Sequence, residues 1–291
     1  HYAVDTGFIV FNDRTYPNFL KLLARIGVAS QPAEMSFSVK SPEGLEYNGH
    51  NLDTLFAQRS NLLSPRFYRF VAEILRFNRE ARAWLGEQKS AGQSPAGQTP
   101  ADSHEPTEKP EQTLGAFLQA GGFSDYFARH YILPMGAAIW SSTLADMRAF
   151  PLGFFLRFFQ NHGLLDVANR PQWYVIPGGS REYLGPLTAG WQQQIRLACP
   201  VQGVRRVADG VVLQSLKGEE HFDEVILACH SDQALRLLQD ASAREQAILG
   251  AMPYQANEVW LHTDVNCLPA RRKAWASWNY QLDADEQARP L

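Results

Sequence analysis

What the chain has little of narrows it first. Only three of its 291 residues are cysteine, Cys199, Cys229 and Cys267. They are odd in number, far apart and in no metal spacing, so they read as reduced thiols of a cytoplasmic protein and exclude a disulfide scaffold. No run of about 18 residues is apolar and free of charge, so no helix is expected to span a membrane. Neither sign of charge dominates: 27 Lys and Arg stand against 30 Asp and Glu, a net of −3. That leaves no electrostatic footprint for nucleic acid. Self-contained catalytic signatures are missing as well. There is no Gly-x-Ser-x-Gly elbow, His-Glu-x-x-His pair, Cys-x-x-Cys pair or Walker loop. Among the eight histidines, His50, His130, His162, His230 and His262 stand in no ligand spacing, so each reads as a structural or surface residue and no metal site is expected.

What is present is ordinary core-forming sequence, 45% hydrophobic and 20% charged, enough for one or two domains. Residues 3–11 read as a buried strand through Val4, Phe8, Ile9, Val10 and Phe11, broken at Asp5-Thr6-Gly7. Pro17, the apolar series Phe19, Leu22, Leu23 and Ile26, and Gly27 predict a short helix with a glycine stop. Residues 35–40 alternate apolar and polar, residues 41–44 form a turn and residues 45–47 return, which predicts a hairpin. A helix over about 65–85 carries the stripe Phe67, Phe70, Val71, Ile74, Phe77, Ala81 and Trp84. Arg66, Arg69, Arg76, Arg79 and Arg82 lie mostly off it, a solvated face or one that meets lipid headgroups or an acidic partner. Residues 86–112 hold four prolines and no Val, Ile, Leu, Met or aromatic residue. They read as a flexible surface insertion, because they have nothing to bury against the entropy of ordering.

Helical patterns resume at residues 113–118 and 124–132, and residues 151–159, with four Phe in six positions, read as a helix that Asn161-His162-Gly163 stops. With Trp140 and Trp173, that aromatic group is either core or the wall of an apolar pocket. Residues 171–176 read as extended. Gly178-Gly179-Ser180 then opens a helix expected over 181–194; the turn is a helix start or an anion-holding loop. The clearest β signal follows, with strands expected over 201–207, 211–216 and 222–229, the last covered on both faces. Residues 231–238 read as helix, and residues 258–263 and 275–280 as strands.

Several of these pieces, in this order, resemble the flavin-containing amine oxidase superfamily, and within it a bacterial group of predicted NAD/FAD-binding proteins. They are Val4-Asp-Thr-Gly-Phe-Ile-Val-Phe-Asn12 with Tyr16-Pro17, Met35-Ser-Phe37, Pro134-Met135 with Ile139-Trp140, Asn161-His-Gly163, Gly178-Gly-Ser180, Ala228-Cys-His230 and Trp275-Ala-Ser-Trp-Asn-Tyr280. The resemblance spans most of the chain outside residues 86–112. It implies an α/β (α+β) fold: an incomplete, Rossmann-like FAD-binding domain of the amine oxidase and glutathione-reductase type over residues 1–30 and 195–245, and a mixed helix-and-sheet substrate domain over 31–194 and 246–291. It also implies FAD, with Gly7, Phe8, Ile9 and Val10 beside the isoalloxazine ring, Val201 pairing with adenine through its backbone, and Ala228 and Cys229 passing the cofactor.

The departures carry expectations too. The superfamily's Gly-x-Gly-x-x-Gly unit and its closing Gly-rich segment have no counterpart here. The chain is therefore expected to be the middle of a longer protein, and alone to be inactive and to hold FAD weakly. Many amine oxidases place a Lys on a late strand near the flavin; here Glu258 or a neighbour falls there, and no Lys lies between Lys217 and Lys273. The expected activity is FAD-dependent removal of hydride from an apolar or amine small molecule, amine oxidase-like or desaturase-like, with no catalytic residue assigned. Peripheral membrane contact stays open. The alternative is a non-catalytic module that binds an apolar ligand or a protein on the same scaffold.

Overall fold

The computed structural model of the chain describes residues 4–91, 112–254 and 256–285. Helices and strands are mixed, and the described strands form three small sheets of three strands each. The chain divides into two units, residues 1–187 with 262–291, and residues 188–261.

In the first unit, the strand expected over residues 3–11 shrinks to Phe11–Asn12, antiparallel to Trp173–Val175. Val4 is 51% exposed and Ile9 49%. The apolar run is there, yet among the described residues no strand pairs with residues 4–10, and an extended segment without a neighbour has no ladder to enter. Phe11 is fully buried and meets Phe19 edge-on at 5.0 Å between ring centres. The Asn12 Oδ1 accepts from the backbone N–H groups of Arg14 and Thr15, at 2.9 and 2.8 Å, and turns the chain into the helix Pro17–Ile26. That helix ends as expected: Gly27 takes φ 69, a conformation that costs glycine nothing, and the Val28 N–H returns to the Leu23 carbonyl at 3.0 Å.

The hairpin also forms. Phe37–Lys40 pairs antiparallel with Glu46–Asn48, and Trp278–Gln281 adds in parallel on the other side of Phe37–Lys40. Beneath lies the helical core. The helix Pro65–Ala91 buries Phe67, Phe70, Phe77, Ala81 and Leu85 from the predicted stripe and its continuation. It runs past the expected stop at residue 85, because a single Gly86 costs a helix only about 1 kcal/mol and Glu87, Gln88 and Ala91 favour it. The remainder of the predicted insertion, 92–111, lies outside the described residues. Three of the five arginines serve the fold. Arg66 lies over the Tyr126 ring and Arg76 over the Phe123 ring, each at 3.9 Å, and Arg82 holds Asp166 at 2.6 Å.

A second helical stretch runs through Asp125–Phe127, the π-helical turn Ala128–Ile132 and Leu133–Trp140. Its Ser124 cap is held by buried Glu73, which accepts the Ser124 N–H at 2.9 Å. Together with Leu152–Asn161, these helices bring Phe70, Phe77, Phe127, Phe155 and Phe159 to zero exposure. Each such ring contributes roughly 1.5–3 kcal/mol of burial. The helix expected over 181–194 is broken into Ser180–Tyr183, Leu184–Thr188 and Gln192–Gln194. Pro186 fits only a first turn, and Gly190 stands past the end of the middle piece.

In the second unit, Val201–Val207, Gly210–Ser215 and Gly218–Phe222 form an antiparallel meander, with the helices Ser231–Leu237 and Ala243–Gly250. Buried Val204 anchors it, and the Gln239 N–H donates to the Val204 carbonyl at 2.9 Å. The third strand therefore lies before the one expected over 222–229. The hairpin closes directly after Ser215, so Phe222 already pairs with Val211 and the neighbouring strand ends at Gly210. Residues 225–229 have no ladder to join, and Ile226 is 92% exposed. Residues 258–263 likewise form no strand, and Val259 is 84% exposed.

Candidate functional site

The first unit contains a cavity of about 660 Å³, within the range of small-molecule sites. Its walls come from several elements of this unit. Phe37 and Tyr47 enter from the hairpin, Tyr131 from the π turn, and Met135, Ile139 and Trp140 from the helix after it. Phe158 and His162 come from Leu152–Asn161 and its end, and Trp173 and Trp278 from two strands. Val10 completes the lining from the N-terminal segment. The aromatic group of the sequence thus divides by face. Phe155 and Phe159 point into the core, stacked at 4.2 Å, whereas Phe158 and Trp140, 4.9 Å apart, line the cavity.

The polar groups of this cavity are few. Tyr47 is buried and spends its hydroxyl on the His130 carbonyl at 2.7 Å. Burial pushes the Tyr47 phenol well above its ordinary range, so it stays neutral. The His162 Nδ1 donates to the Phe158 carbonyl at 2.9 Å, which directs the ring's other nitrogen elsewhere. At the rim, His50 Nε2 and Glu34 Oε1 lie 3.6 Å apart. Arg170 also lines the cavity, and its Nε donates to the Asp166 carbonyl at 2.8 Å.

A smaller cavity of about 390 Å³ borders the same N-terminal segment, with Gly7 and Phe8 on one side and Gly178, Ser180 and Tyr183 on the other. Here two distant motifs meet. The Ser180 N–H donates to both oxygens of Asp5 at 3.0 Å, and the Ser180 Oγ donates to the Phe8 carbonyl at 2.5 Å. The anion held by the Gly178-Gly179-Ser180 turn is the chain's own Asp5 carboxylate. Gly179 has φ 97 and ψ 168, and a Cβ there would lie 3.2 Å from Asp5 Oδ1, so both backbone and space require glycine.

The family model described as flavin containing amine oxidoreductase matches residues 2–283. The chain belongs to that family. Solved structures agree on the fold, that of the FAD-dependent amine oxidases. Cyclohexylamine oxidase from Brevibacterium oxydans is 13% identical with a TM-score of 0.56, the match covering 85% of this chain and 52% of that one. A redesigned putrescine oxidase is 12% identical at a TM-score of 0.52, with the same coverage. A conjugated-linoleic-acid (CLA)-producing fatty acid isomerase from P. acnes is 14% identical at 0.51, again over 85% and 52%. The chain spans about half the length of these proteins. None of the curated proteins is significantly similar to it in sequence.

Within this flavin family fold, the residues assigned to the cofactor fall in both units. Gly7, Phe8, Ile9 and Val10 belong to the first; Val201, Ala228 and Cys229 belong to the second and are all exposed. Val201 opens its strand, while Ala228 and Cys229 lie in the unpaired stretch before the helix Ser231–Leu237. The N-terminal segment fits a flat aromatic group. A Cβ on Gly7 would meet nothing within 4 Å, and Phe8 and Ile9 show apolar surface beside it. Tyr131, Arg170 and Glu34 were not marked by the sequence, and His50 was read as a structural or surface residue. Tyr131 shares a four-residue spacing with Met135 and Ile139 and so looks like one more core position.

Proposed function

We propose that the protein is an FAD-dependent oxidoreductase whose larger cavity receives an apolar or amine substrate. One observation carries this reading: Val10 forms part of the cavity wall, on the segment that the resemblance places beside the flavin ring. Bound FAD would supply the hydride acceptor for a substrate C–H bond, in an amine oxidase-like or desaturase-like reaction. The chain's own residues then bind, orient and exclude water. Gly7, Phe8, Ile9 and Val10 would hold the ring, Val201 would meet adenine through its backbone, and Ala228 and Cys229 would contact the cofactor. The rings of Trp140, Phe158, Trp173 and Trp278 hold the substrate's apolar body. Two structural relatives are oxidases named for amines and the third is named for a fatty acid, so the fold does not choose between these classes.

The test uses the protein at the full length of its relatives. It should purify with FAD, whereas the 291-residue chain should hold FAD weakly. Anaerobic mixing with alkylamines and with long-chain apolar compounds should bleach the visible flavin band for one class. A full-length protein without flavin, or one whose flavin no member of either class reduces, overturns the reading in favour of a non-catalytic binding module.

A further inference from the structure

Two groups on the larger cavity are left unused by hydride transfer. Tyr131 is 9% exposed and lines the cavity, and its hydroxyl bonds to no described residue. The side chain that carries this hydroxyl forms part of the cavity wall. A phenol in an apolar wall needs a partner from somewhere. Arg170 is the second group. Its Nε is taken by the Asp166 carbonyl, and among the described residues no carboxylate stands within ion-pair distance of its guanidinium. Burial pushes the Tyr131 phenol up to about 12, and the Arg170 charge pulls against that rise; both side chains line the same cavity. The acidic side chain of the lining, Glu34, has its Oε1 3.6 Å from His50 Nε2. Arg170, itself exposed, is thus the one Arg or Lys among the described residues lining a cavity whose walls are largely aromatic and apolar.

We infer that the cavity takes an amphiphile by its carboxylate, with Arg170 pairing with the anion, Tyr131 donating its hydroxyl proton into a hydrogen bond with it, and the aromatic wall holding the hydrocarbon. This rests on the cavity being the substrate site. A guanidinium presents paired donors that match a carboxylate, and an ammonium group would meet repulsion at the same place. No bond is made or broken in this step; it fixes which end of the substrate stays at Arg170 and which carbons reach Val10.

Calorimetric titration of the 291-residue chain with decanoate, decanol and decylamine tests it without flavin. Decanoate should bind about tenfold more tightly than either other probe, as one charge-assisted contact predicts. Arg170→Gln should bring decanoate to the level of decanol and leave decanol unchanged, and Arg170→Lys should restore part of the preference. Tyr131→Phe should weaken decanoate about fivefold while it still outcompetes decylamine. Decylamine binding as tightly as decanoate, or Arg170→Gln leaving decanoate unaffected, overturns the inference. If decanol binds and decanoate binds no better, only the carboxylate assignment falls. If none of the three binds, the cavity is not a substrate site and both readings fall.

Discussion

Gly179→Ala should destabilise the first unit through a contact that no local pattern records. At φ 97 and ψ 168 the backbone lies where essentially only glycine is at ease, and an alanine there costs about 1–3 kcal/mol. The new Cβ would also sit 3.2 Å from Asp5 Oδ1, against the carboxylate that holds the Ser180 N–H. Asp5→Ala alone removes that acceptor. Hydrogen bonds to charged groups contribute about 1.5–3 kcal/mol, and for a half-buried side chain solvent screening lowers this to about 1 kcal/mol. In the double variant the Cβ no longer meets a carboxylate, so the losses should fall short of additivity by about 0.5 kcal/mol. Urea unfolding followed by circular dichroism gives the three values. Hydrogen exchange should also quicken at residues 4–10 in both single variants, because that segment has no strand partner among the described residues. A Gly179→Ala chain that loses less than about 0.5 kcal/mol, with exchange at residues 4–10 unchanged, refutes the account.

Gly7→Val should leave urea stability within about 0.5 kcal/mol, since among the described residues its Cβ would meet nothing within 4 Å, yet in the full-length protein it should weaken FAD roughly 5- to 150-fold by filling the space proposed for the ring; unchanged flavin occupancy would count against Gly7 lying at the ring. Val201→Pro, at a strand's first residue where proline is tolerated, should lower FAD affinity by removing a backbone donor while the meander still folds, as circular dichroism would show. Glu46→Gln should flatten the acid limb of stability. Burial works to raise the Glu46 carboxyl, but N–H donors from Ala270 and Arg271 and the Arg271 guanidinium at 2.9 Å outweigh it and hold the carboxyl below its ordinary range. A depressed carboxyl stabilises the fold above its unfolded value and loses that contribution as pH falls through the folded one, so the native chain should weaken on acidification more than the Glu46→Gln variant. Parallel pH dependence in the two would remove Glu46 from the account.

The parts legible in the sequence are those set within a few residues. The Gly27 stop, the hairpin through residues 41–44 and the helix Leu152–Asn161 each depend on a turn or a period that the local sequence carries. The strands expected over 3–11, 222–229 and 258–263 fail for one reason: an apolar run marks a segment that gains by being covered, and the ladder that covers it is not local. The same limit applies to the site. Phe158 and Trp140 stood out by type, but Tyr131 and Arg170 share a cavity only after the helices pack. The Asp5–Ser180 link joins motifs 175 positions apart, which the sequence showed singly and could not connect.

The π-helical turn Ala128–Ile132 has a consequence for how this pocket can vary. Tyr131, Met135 and Ile139 face the cavity from the helix that this widened turn sets in phase. A π turn is an α-helical turn with one residue added, and each residue of an α-helix advances it by about 100°. Deleting that added residue would return the turn to α geometry with the helix after it still in phase, so Met135 and Ile139 would keep facing the cavity. The wall beyond this turn is therefore insulated from a one-codon loss here, whereas the same loss within Leu133–Trp140 would swing every following side chain by about 100°.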